Sequence, residues 1–308
     1  MNKNSFLKIF TAYKGFDAYW IGHPLLNKIG LHIFRIKLAD LFYTTRKMFF
    51  FNFKNKHQLK TLFKDGVLTV PNFISNETFS LISKEVQNRI KELEQQQPIQ
   101  LGDIPGFQQP TPFKGGFDRY DGGTLNRFID INKIDTPHLY DYIYNNPELK
   151  NICQKSSSYY YKPHKFKIYQ MVHGDSETIH DLQKEIHKDT FHSTIKLWII
   201  LEDVKDEEGL KYSIGSHKIN LKRLKWEYAK SITISQPNHS IKGGAFRLSK
   251  EELLDMGFSD TTSFAPKANT LVIADTRGFH CRGEAKTGAQ RIAIYASLRP
   301  APFSPLPY

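Results

Sequence analysis

The stretch from His187 to Lys218 opens with His-x-Asp and runs into a β-branched, apolar segment, TIKLWIILEDV. That conjunction constrains the chain more than any other feature. In a strand, residues i and i+2 point to the same face, so the His187 imidazole and the Asp189 carboxylate can converge on one ion. Two such ligands do not make a metal site, so the fold must bring a third from elsewhere. The candidate is His280, which follows the strand-like run TLVIAD and a turn at Arg277-Gly278. Arg291 stands eleven residues further on, at the head of another strand-like run, RIAIYASL. Two histidines and one carboxylate form the facial set that binds Fe(II) and leaves three positions open. A nearby arginine suits a bidentate grip on a carboxylate-bearing cosubstrate.

From His187 and Asp189 the chain continues with Trp198-x-x-Leu201-x-Asp203, then acidic residues and Gly209, then Gly215-Ser216-His217-Lys218, and later His280 and Arg291. An earlier segment, FKDGVLTVPNFIS (63–75), precedes a helix-like stretch. In order and spacing this resembles the phytanoyl-CoA dioxygenase-like family of Fe(II)/2-oxoglutarate oxygenases, over roughly residues 60 to 300. The resemblance implies a mainly β fold with flanking helices, a double-stranded β-helix (jelly roll, cupin-like). It implies Fe(II) at His187, Asp189 and His280, and Arg291 on the distal carboxylate of 2-oxoglutarate. It also implies O2 as oxidant, with decarboxylation to succinate coupled to C–H oxidation of a small organic or lipid-like substrate. Trp198 matches an aromatic of the cosubstrate pocket, although a strand tryptophan also serves as core. Tyr169 or Gln170, on the preceding strand, and Arg127, in NRFIDI, are further candidates for that pocket. Arg282 departs from the family, which places a small hydroxyl residue there. Halogenases of the superfamily carry Gly or Ala at the carboxylate position, so Asp189 favours hydroxylation.

His173-Gly174-Asp175 is a rival His-x-Asp, but its turn-like setting and its distance from Trp198 fit the pattern poorly. Two alternatives to a dioxygenase stay open. One is a jelly-roll binding protein without turnover; the other is a non-oxygenase metal enzyme on the same fold, against which Arg291 argues.

The 308 residues allow one large domain or two ordinary ones. Two cysteines, Cys153 and Cys281, are too few for a disulfide framework, and no apolar run reaches the length of a membrane span. No secretory signal core is visible, so cytoplasmic residence is expected, with peripheral membrane contact as an addition. The net charge of +12 is concentrated at the front: residues 1–60 hold eleven Lys/Arg against Asp17 and Asp40, a net of +9. This basic, aromatic-rich extension is set apart from an oxygenase domain at 61–308. Within it, Leu31, Phe34, Leu38, Leu41 and Phe42 read as the apolar stripe of a helix, with Lys28, Arg35 and Arg46 on another face. It either docks on an anionic membrane or packs on the barrel with its charges in water. Nucleic acid is the competing polyanion, but no nucleic-acid motif accompanies the charge.

Val67, Leu68 and Val70 read as a short strand, and Ser75 as the cap of a helix with Phe79, Leu81, Ile82, Val86, Ile90 and Leu93 on its apolar face. Residues 98–123, dense in Gly and Pro, read as a long loop. Helix is expected from Thr136 to Lys155, broken into two pieces by Pro147. An insertion at 219–268 starts basic and contains a short helix capped by Ser249 with Glu252 and ended by Gly257.

Overall fold

The structure is a computed structural model, and it describes residues 6–50, 56–100, 109–174 and 180–307. After helices α1 (Pro24–Lys28), α2 (Leu31–Phe49) and α3 (Lys56–Asp65) come strand β1 (Val67–Val70) and the long helix α4 (Asn76–Gln96). Strands β2 (Thr111–Phe113), β3 (Gly116–Asp121) and β4 (Thr124–Asp130) precede helices α5 (Pro137–Asn145) and α6 (Pro147–Ser157). The remaining strands are β5 (Phe166–Val172), β6 (Ile195–Ile200), β7 (Leu210–Tyr212), β8 (Thr262–Phe264), β9 (Leu271–Asp275), β10 (His280–Cys281) and β11 (Gln290–Leu298). Helices α7 (Leu221–Ser235) and α8 (Lys250–Asp255) lie between β7 and β8.

Eight strands form one antiparallel sheet in the order β1-β9-β6-β11-β5-β4-β3-β2, and three form a second in the order β10-β7-β8. Together, with helices outside, they make a double-stranded β-helix. Period-2 alternation explains how one sheet serves two purposes. Ile129, Ile168, Leu197, Ile199, Ile273, Ile292 and Ile294 face outward and pack with Ile82, Val86, Ile90, Leu139, Ile143 and Leu149 of α4, α5 and α6. Their neighbours Phe128, Tyr169, Met171, Trp198, Val272 and Tyr295 form a separate cluster on the inner face. Burial on both faces is why these strands read as nearly continuous apolar runs. Each buried aliphatic side chain contributes about 1.5–3 kcal/mol, so the outer layer fixes the inner wall firmly.

Several local expectations hold. Ser75 caps α4 through Thr78, Pro147 separates α5 from α6, and Ser249 with Glu252 forms a capping box on α8. Gly257 follows that helix at φ 84°. Three readings need correction. Part of the 98–123 stretch is strand, namely β2 and β3, because β3 pairs along β4 and β2 along β3 despite the Gly and Pro content; residues 101–108 lie outside the described ones. The insertion holds a fifteen-residue helix, α7, that the charge pattern obscured. Helix α2 is inverted relative to the expected face: Arg35 and Arg46 are buried, whereas Phe34 and Leu41 are exposed.

The inversion has a specific cause. The Arg35 guanidinium donates to the carbonyls of Ile9, Thr11 and Tyr13 and stacks on Phe191 at 4.1 Å. Arg46 donates to the carbonyls of Ala301 and Ser304. These arginines tie loose ends of chain to the barrel, and multidentate donation to carbonyls compensates their burial.

Candidate metal centre

His187 and His280 form an isolated antiparallel bridge in which each backbone N–H donates to the other's carbonyl at 2.9 Å. Residues paired in this way present their side chains on one face, and the two imidazole centroids are 4.6 Å apart. Two residues along, the Asp189 N–H donates to the Thr276 carbonyl at 2.9 Å, which fixes the second ligand against the turn carrying His280. Asp189 Oδ1 lies 3.8 Å from Nε2 of both His187 and His280. One ligand atom from each residue falls within 4.8 Å of the others. This is a two-histidine, one-carboxylate site.

The protonation states suit a cation. Nδ1 of His187 donates to the Glu185 carbonyl at 2.7 Å, and Nδ1 of His280 to the Gly278 carbonyl at 2.9 Å. With the proton held on Nδ1, each Nε2 presents a lone pair to the site. His187 Nε2 is buried and has no hydrogen-bond partner, the condition of an atom waiting for a ligand. Burial pushes the His187 pKa down to about 3, helped by His280, and burial lowers that of His280 too. Burial alone would raise Asp189, but Lys196 and the two histidines hold it well below the usual carboxylate range. Neutral imidazoles and an ionised carboxylate are the forms a divalent metal requires. The Lys196 ammonium sits 2.7 Å from Asp189 Oδ2, which leaves Oδ1 to face the imidazoles.

His187 and His280 line a cavity of about 100 Å³ whose walls include Asn126, Tyr169, Lys196, Trp198, Arg282, Arg291 and Tyr295. Arg291 projects from β11 beside Met171 of β5. Its guanidinium reaches the Glu208 carbonyl at 3.4 Å, the Met171 sulfur at 3.5 Å and the Tyr169 side chain, and it makes no ion pair among the described residues. A partly buried guanidinium without a carboxylate is costly, and a carboxylate-bearing ligand would satisfy it. Arg282 also lines the cavity but is already held by Asp181 at 2.6 Å and by Asn126 at 3.3 Å.

Trp198 and Tyr169 face this cavity, with the Tyr169 hydroxyl donating to Asn126 at 2.7 Å. Gln170 and Arg127 do not. They sit directly opposite one another on β5 and β4 and point to the outer face. There Gln170 donates to Glu94 and Arg127 makes a bidentate pair with Asp118 at 2.8 and 2.9 Å. Alternation decides this: a strand that turns Tyr169 inward must turn Gln170 outward. The rival His173 is buried at the end of β5 and is not part of the triad; Asp175 lies outside the described residues. His217 is also buried, with Nε2 3.3 Å from the Phe63 carbonyl.

Sequence reasoning passed over the shell behind the ligands. Lys188, between His187 and Asp189, points the opposite way and meets Glu227 of α7 at 2.7 Å. Glu227 also accepts from His32 of α2 at 3.0 Å and from Arg223 at 3.4 Å, and all four residues are buried. Lys14 donates to the Asp189 carbonyl oxygen. The N-terminal segment and the insertion thus meet directly behind His187 and Asp189.

No family model and no curated protein matches the chain. Solved structures similar to it include AviO1 from Streptomyces viridochromogenes, at 11% identity over 82% of this chain and 99% of that one, with a TM-score of 0.46. The epimerase SnoN, in complex with Fe3+, alpha ketoglutarate and nogalamycin RO, is 13% identical over 80% and 86% of the two chains, with a TM-score of 0.44. HygX from Streptomyces hygroscopicus, with nickel and 2-oxoglutarate bound, is 12% identical over 79% and 86%, with a TM-score of 0.42.

Proposed function

We propose that this protein is an Fe(II)/2-oxoglutarate-dependent oxygenase, a hydroxylase of a small organic or lipid-like substrate. The observation that carries the reading is one cavity holding both halves of such a site. Two neutral imidazoles and an ionised Asp189 converge on one point, and the unpaired Arg291 guanidinium lines the same space. When bound, iron with 2-oxoglutarate and O2 supplies the oxidising power for C–H oxidation.

The chain's own tasks are holding, orienting and excluding water. Glu185 and Gly278 carbonyls fix the histidine tautomers, and Lys196 presents Asp189 through one oxygen. Arg291 would grip the distal carboxylate of the cosubstrate as a fork, with Tyr169 and Trp198 shaping the pocket around it. The inner aromatic layer of Phe128, Tyr169, Trp198 and Tyr295 keeps the walls dry.

The test is succinate release from 2-oxoglutarate under air with added Fe(II). The wild-type chain should convert it, and His187→Ala, Asp189→Ala and His280→Ala should not, while each keeps its circular dichroism spectrum. A chain that binds metal and 2-oxoglutarate but forms no succinate with any candidate substrate is a binding protein, and the reading fails.

A further inference from the structure

The inverted helix α2 leaves an apolar surface that the barrel does not use. Its inner side carries His32, Arg35 and Arg46, none more than 3% exposed. Its outer side carries Phe34, Leu41 and Met48, exposed by 49, 60 and 74%. Seven residues fall only about 20° short of two helical turns, so these three line up in a row about 21 Å long. Helix α1, which packs against α2, adds Leu25 at 66%, and its C-cap residue Ile29 is 81% exposed. Single exposed apolar residues are ordinary on a protein surface, but an aligned row is not.

Charge indicates what covers it. Arg35 and Arg46 are spent on internal carbonyls, but Lys28 and Lys37 on the same two helices are exposed, and neither makes an ion pair among the described residues. Lysine is depleted from the cores of protein–protein interfaces. Lysines beside Phe, Leu and Met on a helix surface instead suit the boundary between lipid headgroups and acyl chains. We propose that the outer face of α1 and α2 docks on an anionic membrane surface, lysines to the headgroups and the apolar row below them. The proposal stands on this face alone and is independent of the metal-site chemistry.

Flotation of the full-length protein with vesicles tests it, comparing phosphatidylcholine alone with a phosphatidylcholine–phosphatidylserine mixture. The wild-type chain should float with the mixture only, and binding should fall as salt rises. The double variants Leu41→Ser/Met48→Ser and Lys28→Glu/Lys37→Glu should each lose at least about tenfold in partitioning. Both should keep the wild-type circular dichroism spectrum. Absence of flotation with either vesicle overturns the proposal, as does flotation that these variants leave unchanged. A dimer in sedimentation velocity that Leu41→Ser/Met48→Ser dissolves would make the row a self-association face and overturn it too.

Discussion

Glu227→Gln removes one negative charge from the point where α2, α7 and the His187–Asp189 segment meet, with little change in shape. In the intact fold the Glu227 carboxylate is 1% exposed and receives Lys188, His32 and Arg223. Burial alone would raise its pKa, yet Lys188 first and then His32 and Arg223 hold it well below the usual range. Without that charge Arg223 still has the Ser216 and Arg277 carbonyls, whereas Lys188 is left as a buried ammonium over the Phe246 ring. Breaking a buried pair by removing one partner costs roughly 3–5 kcal/mol. Against a total stability of about 5–15 kcal/mol this is severe, and in a chain of this size it lowers Tm by about 5–8 °C. Removing both charges, as in Lys188→Met/Glu227→Gln, should recover at least about 1 kcal/mol relative to the sum of the two single variants. Urea denaturation at pH 7.5 reads all three. A loss below about 1 kcal/mol for Glu227→Gln, or strict additivity in the double variant, would show that this network does not brace the His187–Asp189 segment.

Arg291→Ala should raise the apparent constant for 2-oxoglutarate by at least about thirtyfold, since a lost charge-assisted pair costs roughly 2–5 kcal/mol. Arg291→Lys should recover only part, because a point charge cannot reproduce the fork; unchanged binding in both variants would sink the assignment. Stability should also fall as pH drops below neutrality. Burial lowers the pKa of His32 and of His217 to about 4 and of His192 to about 3, against an unfolded value near 6.5. These groups are neutral in the fold at pH values where the unfolded chain protonates them. Their contribution is therefore full above pH 6.5 and is lost as pH falls through 6.5 toward 4, at up to about 1.4 kcal/mol per pH unit for each histidine. A urea midpoint that stays flat between pH 7.5 and 5 would contradict this.

His280 was reached through the spacing of the resemblance, and the strand expected at His187 and Asp189 is only an isolated bridge, held by the His280 and Thr276 carbonyls. The pairing of His187 with Asp189 was legible because the two stand only two residues apart. The helix break at Pro147 and the Ser249 cap were legible for the same reason: each rests on backbone chemistry within a few residues. What periodicity cannot supply is the identity of the surface each face meets. In α2 the arginines turn inward because carbonyls of residues 9–13 and 301–304 are there to receive them, and those partners are distant in sequence. The same blindness hid the Lys188–Glu227 contact, since a lysine between two metal ligands reads as a solvent-facing residue. For Gln170 and Tyr169, alternation allowed only one to face the pocket, but the strand run alone did not say which face was inner.

The most direct test of the account is a crystal of the protein grown with Fe(II) under anaerobic conditions, with data collected at the iron absorption edge. One anomalous peak per chain is expected, within bonding distance of His187 Nε2, His280 Nε2 and Asp189 Oδ1, and it should disappear in Asp189→Ala. A peak at His173 instead, or wild-type crystals with no iron at the triad, would contradict it.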